Sequence, residues 1–178
     1  VGKSATAKVF IARSVGVFGR WVAIADPKGE YEPLATALGL SIIKLMPGGA
    51  TRINPLDPGP GRANAPVDEV VRRQTEMVGA LVGTVLGRDL SPIEDAVIGW
   101  TIAELHSDDG REPTLADVVA LMADPNPRMC ELARTDAGEL RRSVEAAIYA
   151  IGKLLDRSLR GMFDGPTNVT VDWDGPGI

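Results

Sequence analysis

Val1-Gly2-Lys3-Ser4 has the order of the second half of the phosphate-binding motif G-x-x-x-x-G-K-S/T. In that motif backbone N–H groups cradle phosphate oxygens, the lysine reaches the β- and γ-phosphates, and the hydroxyl ligates Mg2+. A helix starting at this point adds the positive end of its dipole. Lys3 is then the phosphate lysine and Ser4 the magnesium ligand, with Gly2 and Ala5 completing the nucleotide-binding set. Three residues in this order also recur by chance, and an ordinary helix start is the plain alternative.

A second constellation is Asp26-Pro27-Lys28-Gly29-Glu30-Tyr31. Asp26 ends an apolar run, the place where open α/β sheets put their ligand sites. Its carboxylate can orient a magnesium-bound water or the Lys3 amine, and Glu30 can join a water network near a γ-phosphate. Equally, Asp26 and Glu30 can cap the helix that follows. The residue types leave both readings open. The catalytic candidates are therefore Lys3, Asp26 and Glu30. A third segment, Pro47-Gly48-Gly49 followed by Arg52-Ile53-Asn54-Pro55-Leu56-Asp57, offers an arginine for a phosphate or a neighbouring subunit. A structural connection is the stronger reading of it.

The elements that must position these residues follow from periodicity. Residues 4–18 read as a helix broken at Gly19. Residues 21–25 and 41–46 read as buried parallel strands, with a short helix over 30–38 between them. Helix–strand–helix–strand order predicts parallel β-α-β units. Residues 54–66 are rich in proline and glycine and mark a connection. The next hundred residues are helical in pattern: 67–86 carries a 3.6-residue apolar period, and Ser91-Pro92-Ile93-Glu94 is a capped start for a helix to about Leu105. Thr114 caps a helix through Met122, and a long helix is expected over 137–156. Residues 168–173 return to strand character. The expected fold class is α/β, a partial parallel-sheet core carrying a large all-helical insertion. Residues 1–58 and a return strand in 164–178 are assigned to the core, and 59–163 to the insertion.

Composition narrows the classes. The 178-residue chain carries a net charge of −5 and 4% aromatic residues. An acidic chain is a poor general binder of nucleic acid, which needs clustered lysine and arginine. The pairs Arg72–Arg73 and Arg141–Arg142 lie beside acids on expected helices and read as solvated faces. No apolar run is long enough to span a membrane. The lone Cys130 has no second cysteine for an internal disulfide and no histidine nearby to activate it. His106 reads as a surface residue at a helix end, Asp108-Asp109-Gly110 as a polar turn, and Trp21, Trp100 and Trp173 as core residues.

Taken together, GKS, then VAIADPKGEY, then PGG and RINPLD, with FDGPTNV later, resemble the P-loop ATPases of conjugative transfer and type IV secretion. These form the VirB/TraC-type branch of the HerA–FtsK superfamily. The resemblance implies a RecA-like core, ATP and Mg2+ as cofactors, and assembly into a homo-oligomer such as a hexamer. It further implies partnership with secretion-channel proteins at the inner membrane, and a cytoplasmic location peripheral to that membrane. DNA is a further candidate partner. Gly2, Lys3 and Ser4 match the phosphate loop, and Asp26 and Glu30 the D-P-x-G-E-Y segment. The leading glycines of the loop and the family's Asp-Glu motif after an apolar strand are absent. The chain is therefore expected to be an inactive fragment of the whole ATPase. A DNA translocase or helicase of the same superfamily, and a non-catalytic helical interaction module, are the alternatives.

Overall fold

The computed structural model describes residues 2–59, 65–107, 112–156 and 159–178. They divide into one unit of residues 1–44 with 169–178 and a second of residues 45–168.

The first unit holds α1 (Lys3–Gly16) and α2 (Glu32–Leu38), which pack on each other. Pro33 sits in the first turn of α2, where its missing N–H costs no helical bond, and α2 stops at Gly39. The parallel-sheet core expected from the sequence is not formed: among the described residues the protein is helical, with eight helices and no strand. The alternation in 21–25 and 41–46 is real, since exposure changes with period two along both segments. What is missing is the ladder. A parallel strand needs evenly spaced bonds to a neighbour over several successive residues. Here, among the described residues, 22–24 is bonded through its main chain only to 176–178, by Val22 N–H to Pro176 (3.1 Å), Ile178 N–H to Val22 (3.0 Å) and Ile24 N–H to Ile178 (2.9 Å). Ser41 N–H adds one bond to the carbonyl of Gly177 (2.9 Å). A single parallel bridge, Val22 to Gly177, results. Gly177 is required there, because a Cβ would lie 2.0 Å from the Val22 carbonyl oxygen. The partner of 22–24 is thus 176–178, not the 168–173 segment expected to return as a strand.

The second unit contains α3 (Val67–Leu86), α4 (Pro92–Leu105), α5 (Leu115–Ala123), α6 (Pro127–Ala133), α7 (Ala137–Ser143) and α8 (Glu145–Leu155). Helix α3 packs on α4 and α8, and α5 packs on the same two. Each turns its apolar stripe inward: Val78 and Val82, Val97, Ile98 and Ile102, Leu115, Val118 and Met122, and Ala147, Ile151 and Leu154 are buried. Each fully buried Val, Leu, Ile or Met contributes about 1.5–3 kcal/mol relative to exposure, so this cluster dominates the unit's stability. The expected helix over 137–156 is two helices, broken at Val144, whose φ is −116° and ψ 11°. The buried stripe Leu140, Val144, Ala147, Ile151 continues across the break. Arg72 and Arg73 pair with Glu76 and Glu69 one turn away on α3, the solvated face expected of them.

The two ends of this unit are stitched together. Gly48 N–H bonds Arg160 O, Ile53 N–H bonds Met162 O, and Asn168 exchanges bonds with Arg52 N–H and O. Among the described residues no helix is long and apolar enough to cross a membrane.

Candidate functional site

The first turn of α1 presents the phosphate-motif residues. Gly2 precedes it with φ 119°, a left-handed conformation that an L side chain rarely adopts, and its would-be Cβ faces open space. Helical bonding begins with Thr6 N–H to Gly2 O (2.9 Å), which the Thr6 hydroxyl reinforces (3.1 Å). No side chain caps this end and no acid lies in its first turn. Among the described residues the N–H groups of Lys3, Ser4 and Ala5 have no acceptor, the donor set that an anion would satisfy. Lys3 and Ser4 are exposed, and among the described residues no hydrogen bond or ion pair holds either side chain.

Asp26 is half-buried and grips its own turn. Its Oδ2 accepts the Tyr31 N–H at 2.7 Å and its Oδ1 the Lys28 N–H at 3.2 Å. The Tyr31 bond, with help from neighbouring N–H groups and against partial burial, holds the carboxyl below its ordinary range. The same carboxylate thereby fixes the approach to α2, whose N-cap is Tyr31. Lys8 on α1 lies over the Tyr31 ring, 5.2 Å from its centroid, and ties the helix of the phosphate motif to this turn. Glu30 is exposed. These candidates share one unit, and no hydrogen bond or ion pair joins Lys3 or Ser4 to Asp26 or Glu30.

The RINPLD segment is structural in its contacts. Arg52 Nε lies 3.3 Å from Asp164 Oδ1 in the FDGPTN turn. Asn54, only 2% exposed, donates to Pro113 O (2.9 Å), accepts from Leu56 N–H (3.1 Å), and gives its own N–H to Thr167 Oγ1 (3.0 Å). Gln74 on α3 is also buried and donates to Leu56 O. Its Oε1 lies 2.6 Å from His106 Nε2. His106 is thus a half-buried partner in a polar chain, not the surface residue expected, and burial pushes its pKa below the ordinary imidazole value. Sequence reading missed Asn54 and Gln74; the only signal was an Asn-Pro dipeptide and one glutamine on the apolar side of α3.

Glu94, 2% exposed, is held by Arg88 through two bonds of 2.8 Å and by Ser91 through its N–H and hydroxyl. Arg88 foremost, then Ser91, keeps its pKa down at about 2. Trp21 and Trp173 are not core residues: each is exposed, and they stack with centroids 5.5 Å apart. Trp100 packs against the core as expected, and Cys130 is half-buried beside it. Asp108-Asp109-Gly110 and Val1 lie outside the described residues. Among the described residues no cluster of three or more metal-ligating side chains occurs.

No family model matches the chain, and no curated protein matches it. Among solved structures, VirB4 of Thermoanaerobacter pseudethanolicus is similar, with a TM-score of 0.63 and 20% sequence identity. The similarity covers 99% of this chain and 64% of that one. At this identity the likeness is one of fold, and the chain shares its fold with the corresponding part of VirB4.

Proposed function

We propose that the chain is the nucleotide-binding part of an ATP-driven motor of a conjugative-transfer or type IV secretion system. The observation that carries this reading is the uncapped first turn of α1, where Gly2-Lys3-Ser4-Ala5 offers N–H donors beside an exposed ammonium and a hydroxyl, with no acid in that turn. The likeness in fold to VirB4 supports it.

In this reading the N–H groups of Lys3, Ser4 and Ala5 hold phosphate oxygens, and Lys3 Nζ offsets the charge of the β- and γ-phosphates. The Ser4 hydroxyl would hold Mg2+, which supplies charge neutralisation between those phosphates. Asp26, kept anionic by its backbone donors, fixes the turn from which Glu30 projects toward solvent and water. A homo-oligomer and channel proteins at the inner membrane are the partners that belong to this reading.

The test is a titration of the protein with a fluorescent ATP analogue, with and without Mg2+. Saturable, Mg2+-dependent binding is expected. Lys3→Ala should weaken it by at least about tenfold, the loss of one charge-assisted contact. Ser4→Ala should remove the Mg2+ dependence while leaving the helix intact by circular dichroism. Absence of Mg2+-dependent binding, or equal binding by wild type and both variants, would count against the proposal.

A further inference from the structure

We infer that Asn54, the Leu56 main chain and Gln74 form a buried latch that couples the 52–57 segment to both ends of the connection between α4 and α5. The inference is independent of any nucleotide. That connection begins at His106, the C-cap of α4, and ends at Pro113, just before Thr114 caps α5. The latch holds both ends from one side. Asn54 Nδ2 grips the Pro113 carbonyl at 2.9 Å, and Gln74 Oε1 meets His106 Nε2 at 2.6 Å. Between them, Leu56 is gripped twice: its N–H by Asn54 Oδ1 and its carbonyl by Gln74 Nε2.

Three features make this a latch. Asn54 and Gln74 are 2% and 4% exposed, so water cannot replace a lost partner, and breaking one bond leaves a buried polar group unpaired. Leu56 is fully buried, so the main chain between the two amides has no room to slide. The bonds also set each other's direction. Gln74 donates through Nε2 to Leu56 O, so its Oε1 must accept, and His106 must carry its proton on Nε2. A shift of the 52–57 segment that pulls Leu56 O away frees the Gln74 amide to turn, and His106 loses its fixed acceptor.

The chain has one histidine, so its imidazole is a single reporter on the latch. Nitrogen NMR of that ring in the folded protein should show the neutral Nε2–H tautomer. Asn54→Ala touches neither Gln74 nor His106 directly, yet should turn that signal into a mixture of tautomers and speed amide exchange in both 53–57 and 112–115. Thr167→Val removes only the hydroxyl that accepts the Asn54 N–H. It should do the same to a lesser degree, and serves if Asn54→Ala does not fold. Gln74→Glu keeps an acceptor for His106 but loses the donor to Leu56. It should raise the imidazole titration midpoint while loosening 53–57. An Nδ1–H tautomer in wild type would overturn the inference. So would an imidazole signal unchanged in a folded Asn54→Ala or Thr167→Val protein whose 53–57 amides exchange faster.

Discussion

Asp26 uses both carboxylate oxygens on the main chain of its own turn, while the side chain of Glu30, four residues on, is exposed. The residue types alone could not separate a cap from a catalytic acid, because both need a carboxylate after an apolar run. The two Asp26 bonds identify a turn-holding role, and a substitution can weigh it. Asn keeps an acceptor for the Tyr31 N–H and Ala does not. Asp26→Ala should speed hydrogen exchange at the Tyr31 and Lys28 amides and shorten α2 at its start, whereas Asp26→Asn should protect Tyr31 nearly as well as wild type. Equal exchange in both variants would remove the structural role. His106 shows the opposite limit of legibility. Its depressed pKa comes from burial, which depends on α3 and cannot be seen from a histidine at a helix end. A base that is harder to protonate when folded supports the fold fully above its unfolded pKa, about 6.5. That support declines as pH falls through this value toward the lower folded pKa. Melting temperature should therefore drop more between pH 7.5 and pH 5.5 in wild type than in His106→Gln, which cannot titrate. Matching drops would show that other groups account for the change.

Helix starts were the most legible elements because their chemistry is local. Ser91 with Glu94 and Thr114 with Asp117 form capping boxes in the structure, at the positions where the sequence places helix starts. Helix α6 carries the same kind of signal, Asn126 accepting from Met129 N–H with Pro127 at the first position, but seven residues are too few to show a period. The break at Val144 has no glycine or proline to mark it, and the apolar stripe runs through it unchanged. The strands failed for a different reason: alternation is a property of a segment, whereas a ladder belongs to two segments far apart in sequence. The cap of α4 carries its own prediction. Glu94 accepts from Ser91 and Arg88 while buried, so Glu94→Gln leaves donors unpaired and should cost about 2 kcal/mol in a denaturant titration. Its folded pKa of about 2 lies below the ordinary 4.5, so its stabilisation is complete above pH 4.5 and is lost as pH falls toward 2. Over that range wild type should lose its advantage over the Gln variant; a constant difference would refute the assignment.

At the scale of the whole molecule, the two units differ in what each has buried. In residues 45–168 the stripes of α3, α4, α5 and α8 close on one another into one core, and Leu56 from the preceding segment joins it. The residues that enter and leave the unit are bonded to each other, Arg52 and Ala50 to Asn168, and Ile53 to Met162. A segment whose ends meet and whose buried stripes close on one another into a single core meets the conditions for folding alone, even with Val67, Met77, Leu132 and Tyr149 exposed at its surface. The unit of residues 1–44 with 169–178 does not: Val9, Phe10, Val17 and Phe18 are more than half exposed, and its buried side chains are few. A chain of residues 45–168 should therefore show helical circular dichroism and a single cooperative thermal transition, near the main transition of the intact protein. In the intact protein, amide exchange should be slowest in α3, α4, α5 and α8 and fastest in α1, since opening free energy follows the buried apolar contacts a segment makes. A 45–168 chain without a cooperative transition, or protection of α1 equal to that of α4, would mean that stability is shared across the molecule and does not reside in the helical core.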